Sequence, residues 1–119
     1  MSDIVYFEIP ADDLARATKF YSDVFGWEID EGHDKDYMMI RTGSEEAVGG
    51  GLMKRRHPQQ TITDYIDVES IDECAPEIEN AGGKLIVPKT PVAGMGYFSI
   101  FQDTEKNVFG IWETDESAR

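Results

Sequence analysis

The sequence predicts an α+β fold made of two βαβββ modules. Three observations predict it. A strand–helix–strand–strand–strand order runs through the first half and again through the second. The two halves align at their closing strands, where Val48-Gly49-Gly50 precedes Val108-Phe109-Gly110 by about 60 residues. Each half carries one helix-period stretch among short runs of strand character.

In the first half, "IVYFEIP" (Ile4 to Pro10) reads as a strand stopped by proline. "ADDLARATKFYSDVFG" follows, with Leu14, Ala17, Tyr21 and Val24 at helical spacing, an Asp cap at its start and Gly26 at its end. "WEID" and "DYMMIRTG" are short strands joined by the polar turn "EGHDK", and "EEAVGGGLMK" closes the half. In the second half, "TITDYIDV" is a strand with apolar alternation. Ser70 and Glu73 have capping-box spacing, and Ile71, Cys74, Ile78 and Ala81 share a helix face. Pro76 inside that helix implies a kink or a late start. "KLIVPKT", "GYFSIFQD", the turn "TEKN" and "VFGIWE" complete the order. Module one is expected over 3–54 and module two over 60–114, together one domain.

The chain has 119 residues and 40% hydrophobic content, enough for one domain with a core. Its net charge of −13 repels a phosphate backbone, which argues against nucleic acid as a partner. The one basic cluster, Lys54 to His57, reads as a solvated loop. Cys74 is the single cysteine and reads as a structural thiol. No stretch is long and apolar enough for a membrane span, so a cytoplasmic location is expected. His33 and His57 sit in loops without ligand-type spacing.

The set "FEIPADDLARATKFYSDVFGWEI", "IDVESIDECAPEIENAGGKLI" and "FQDTEKNVFGIWE" resembles the vicinal oxygen chelate superfamily, the glyoxalase, bleomycin-resistance and extradiol-dioxygenase group. The resemblance implies curved half-barrel sheets around a cavity, and homodimers among members of this length. It also implies four inward-pointing metal ligands, from the first and last strand of each module. Carried over by position, these fall on Tyr6, Gly50, Thr63 and Gly110. Two glycines, a threonine and a tyrosine are a poor donor set, so neither the usual divalent metal nor any other cofactor is expected.

Three glycines in a row, Gly49 to Gly51, need a reason inside a strand. No phosphate-loop pattern surrounds them. Two readings stand: they leave room where ligands would project, or they let a curved strand coil. Strand alternation then lines the cavity with Tyr6, Glu8, Gly50, Thr63, Tyr65, Gly110 and Trp112, with Asp67 beside them. Such a lining suits an aromatic, apolar or cationic small molecule. Glu8 and Asp67 are the candidate acid–base pair if the chain is an enzyme. Glu113 is expected on the outer face. The function expected is therefore metal-independent binding of a small molecule. The alternative is a lyase or isomerase of lactoylglutathione-lyase type with a non-standard site.

Overall fold

In the computed structural model, residues 2–119 are described, apart from the His33 side chain. The element order is β1 (Ile4–Ala11), α1 (Leu14–Phe25), β2 (Glu28–Asp34), β3 (Tyr37–Arg41) and β4 (Gly49–Lys54), then β5 (Thr63–Asp67), α2 (Ile71–Asn80), β6 (Lys84–Val92), β7 (Gly96–Gln102) and β8 (Val108–Thr114). The βαβββ order thus occurs twice. The chain forms two compact units, Tyr6–Thr63 and Asp64–Arg119, the second also taking the residues up to Val5.

In the first unit the strand order is β2-β3-β4-β1, with β1 and β4 parallel and the remaining neighbours antiparallel. Ile9, Ala11, Ile40 and Leu52 form its core, with Phe7, Leu14, Ala17, Tyr21 and Trp27 packed against them. Asp13 caps α1 by accepting from the Arg16 amide, and Gly26 ends it in the left-handed conformation at φ 72°. Val24 does not join this packing; it is exposed, as are Phe20 and Phe25. The helix period alone could not separate a core-facing position from one a turn further round. The expected turn at "EGHDK" is shorter than foreseen. β2 runs on to Asp34 through a register shift, so His33 falls in a strand, and its side chain lies outside the described residues.

In the second unit the order is β5-β8-β7-β6, with β5 and β8 parallel. Ile71, Phe101 and Ile111 are its buried core, and Cys74, Ala75 and Ile78 bring α2 onto them. Pro76 lies inside α2, but Ser70 caps the helix through the Glu73 amide, so the helix does not start late. Ser99 is buried and satisfied, its hydroxyl donating to the Val87 carbonyl at 2.6 Å. Each unit's strands make an open sheet rather than the half-barrel that the resemblance implied.

Arg55 also departs from expectation. It is not a solvated loop residue. Its amide donates to the Ala11 carbonyl at 2.9 Å, its Nε donates to Asp12 at 2.9 Å, and its guanidinium donates to the Gln60 carbonyl. Arg55 therefore fastens the end of β4 to the end of β1, while Lys54 and Arg56 are exposed as expected. His57, by contrast, is exposed as expected.

Candidate functional site

Strand register decides which residues share a face. In the first unit Tyr6 pairs with Gly49, Phe7 with Gly50 and Glu8 with Gly51. Paired residues of parallel strands point the same way, so Tyr6, Glu8, Gly49 and Gly51 lie on the face away from α1. Gly50 does not. A Cβ there would meet the Phe7 carbonyl, and its ring at 2.8 Å, on the side that carries the core. The expectation for Gly50 is thus corrected by one residue, and a one-residue slip changes the face.

In the second unit Tyr65 pairs with Gly110, Ile66 with Ile111 and Asp67 with Trp112. Tyr65, Asp67, Gly110 and Trp112 therefore share the face away from α2, as alternation predicted. Thr63 shares this face by alternation along β5. The offset between the modules is not constant, because the span between the paired strands is longer in the second module (Tyr65 to Gly110) than in the first (Tyr6 to Gly49).

The glycines serve close approach. None of Gly49, Gly50 or Gly51 has a positive φ, so backbone freedom is not what they supply. The Tyr37 hydroxyl stands where a Cβ on Gly51 would be, with its ring Cε1 2.7 Å from that point. The Tyr65 ring lies in the same way over Gly110. The room left by these glycines is filled by the chain's own tyrosines.

Tyr37 is the residue that sequence reasoning missed. Its hydroxyl donates to Glu8 Oε2 at 2.7 Å and lies 2.5 Å from the Tyr6 hydroxyl. All three side chains are half-buried. Burial, then the nearby Glu8 charge, raise the Tyr37 phenol well above the ordinary tyrosine range, and hydrogen bonds to Tyr6 and Glu8 add to this. Burial also raises Tyr6, with the Tyr37 hydrogen bond opposing and Glu8 adding. Both phenols therefore stay protonated at neutral pH. Alternation places Tyr37 on a face with Met39, but only the pairing of Met39 with Gly51 puts it above the glycine and beside Glu8.

The face in the second unit is aromatic. Tyr65 is buried and meets Phe98 edge-on at 6.4 Å between centroids. Gly96 lets Trp112 approach, since a Cβ there would lie 2.7 Å from the indole, and the indole N–H donates to Thr114 at 3.0 Å. Asp67, the second acid–base candidate, is half-buried on this face, and its amide donates to the Asp3 carbonyl at 2.8 Å. Glu113 alternates to the opposite, helix-bearing face, as expected, but there it has a structural task. It accepts from the Ile71 amide at 2.8 Å and so caps the first turn of α2.

Among the described residues, no three His, Cys, Asp or Glu side chains come together as a metal-binding group. Two open depressions in the first unit lie away from the tyrosine face. One, of about 400 Å³, is beside the start of α1 and is lined by Ile9, Asp13, Arg16, Phe20 and Arg55. The other, of about 750 Å³, is formed by the loop from Arg55 to Thr61. None of the candidate ligand residues lines either one. Among the described residues no helix is long and apolar enough to cross a membrane.

Residues 3–43 match the family described as bleomycin resistance protein-like N-terminal. A glyoxylase-like domain-containing protein of Didymella fabae is 30% identical over 115 residues, covering 87% of this chain and 88% of that protein. The anthracycline biosynthesis protein DnrV of Streptomyces peucetius is 23% identical, over 90% of this chain and 45% of its own length. A provisionally assigned glyoxylase of Mycobacterium bovis is 24% identical, and the chain spans only 44% of it. Among solved structures, a glyoxalase/bleomycin resistance protein/dioxygenase superfamily member from Vibrio splendidus shares the fold at a TM-score of 0.69 and 13% identity, covering 95% of this chain and 99% of that one. The Mn(II)-bound glyoxalase of Novosphingobium aromaticivorans does so at 0.68 and 21%, covering 99% of this chain and 41% of that one. Two βαβββ modules and these matches, above all the relative matched along nearly its whole length, place the chain in the vicinal oxygen chelate superfamily of glyoxalase- and bleomycin-resistance-like proteins.

Proposed function

We propose that this chain is a metal-independent, cytoplasmic member of the superfamily that binds a small molecule against its aromatic sheet faces. The observation that carries the reading is the make-up of paired first- and last-strand positions, Tyr6 opposite Gly49 and Tyr65 opposite Gly110. The resemblance puts metal ligands on the first and last strands. Two neutral phenols and two residues without side chains do not fit a divalent ion, which wants three or four His, carboxylate or thiolate donors. What these positions offer instead is ring surface. Tyr6 and Tyr37 supply it in one unit, and Tyr65, Phe98 and Trp112 in the other. Aromatic faces with a few fixed polar atoms suit a small organic ligand. The relatives of about twice this length support a further part of the reading, that two copies of this chain associate.

Metal content of protein purified without chelator, with a thermal-shift titration of nickel, zinc, manganese and iron(II), tests metal independence. No bound metal and an unmoved Tm are expected. Stoichiometric metal with a Tm that rises with its concentration would overturn it. Quenching of tryptophan fluorescence by a panel of aromatic compounds tests ligand binding, and no quenching by any of them would count against that part.

A further inference from the structure

We infer that two copies of this chain associate through the outer flank of α1, packed against its own copy in an antiparallel, two-fold pair; this rests on the association proposed above and names its surface. Phe20, Val24 and Phe25 are 55%, 58% and 58% exposed. They form one patch. Phe20 and Val24 are one helical turn apart, and the Phe20 and Phe25 rings meet edge-on at 6.4 Å between centroids. Large apolar side chains grouped in this way on a surface helix mark a contact face, whereas single ones need no explanation.

Charge and shape both favour a second copy as the occupant. Two chains of net charge −13 repel, so they need a face without excess acid. The only charged residues of α1 are Arg16, Lys19 and Asp23. An antiparallel pair centred on Phe20 sets Arg16 opposite the partner's Val24 and within reach of the partner's Asp23, and symmetry repeats the contact. Both groups are open to it. Among the described residues no carboxylate forms an ion pair with Arg16, and Asp23 is 59% exposed with Lys19 as its one ion-pair partner. The depression of about 400 Å³ lies beside the start of α1, against Pro10, Ala17 and Phe20, while Phe25 projects at the other end. The helix has 12 residues, about 18 Å. Reversing the partner brings its Phe25 end to this depression, and does so twice. A parallel pair would leave both depressions unfilled. Closure by a two-fold axis stops the assembly at a dimer.

The experiment is sedimentation velocity of the full chain over a wide range of concentration, with Tm and circular dichroism recorded for each variant. The unmodified chain is expected to dimerise. Phe20→Glu is expected to raise the dissociation constant by about a hundredfold or more while the monomer stays folded. Arg16→Glu is expected to raise it about tenfold, and adding Asp23→Arg to restore it, because the exchanged charges still meet across the two-fold axis. A folding defect from the first substitution would not be repaired by the second, so this pair decides the matter if Phe20→Glu lowers the Tm. A dimer that survives Phe20→Glu would overturn the α1 assignment and leave the association standing. Failure of the charge exchange to restore the dimer would overturn the antiparallel arrangement. If the unmodified chain stays monomeric throughout, the α1 assignment and the association proposed above fall together.

Discussion

The Tyr37 hydroxyl occupies the position that a Cβ on Gly51 would take. The two residues face each other across the paired strands β3 and β4, where Met39 is the register partner of Gly51. The glycine therefore decides where the phenol sits, and the phenol decides what Glu8 is bonded to.

Replacing Gly51 by alanine should displace the Tyr37 ring and break its bond to Glu8, at a cost of about 1–2 kcal/mol. In a Tyr37→Ala background the ring is gone, and the same methyl should cost much less. A double-mutant cycle by urea denaturation measures the difference. Additive effects would show that the glycine and the tyrosine are not coupled.

Gly50→Ala should be the more damaging change, by about 3 kcal/mol or more. Its methyl would run into the Phe7 carbonyl, which belongs to the paired strand and cannot rotate aside. Urea midpoints of the two single variants rank them directly, and Gly51→Ala proving the worse would contradict this account.

The raised phenols make stability fall at alkaline pH. A group held protonated in the folded state contributes fully below the pKa of the unfolded chain, about 10 for tyrosine, and loses that contribution as pH rises beyond it. Absorbance at 295 nm should show two tyrosines that resist ionisation until the protein unfolds. Tyr37→Phe should flatten the loss of stability above about pH 10, and an unchanged slope would contradict it.

Glu113→Ala should cost about 1 kcal/mol, because the Ile71 amide at the start of α2 loses its acceptor at 2.8 Å. Glu113→Gln keeps an acceptor oxygen and should recover most of that. Equal losses in the two variants would mean that the carboxylate's charge at the helix start, not the hydrogen bond, carries the effect.

Cys74 should react slowly with a thiol reagent in the folded protein, since burial, and then the charge of Glu77, raise its thiol. Reaction at mildly alkaline pH should speed up on adding denaturant, and equal rates in both states would contradict the packing of Cys74 against the Ile71–Phe101–Ile111 core.

Much of the fold was legible because it depends on local rules. The cap at Asp13, the left-handed Gly26 and the Ser70 cap follow from residue type, and most of each helix face, though not Val24 or Ala81, from a period near 3.6. Alternation placed Tyr6 with Glu8, and Tyr65 with Gly110 and Trp112. It could not place Gly50, because its face depends on how β4 is registered against β1, and a shift of one residue exchanges the faces.

By itself, the sequence determined the order of elements and their boundaries to within a few residues. Those follow from side-chain chemistry and short-range periodicity. Tertiary structure decided that Tyr37 belongs with Tyr6 and Glu8, that Gly51 and Gly110 make room for tyrosines of their own units, and that Glu113 caps α2. Each of these joins residues far apart in the chain, and only strand register and helix packing bring such residues within a hydrogen bond.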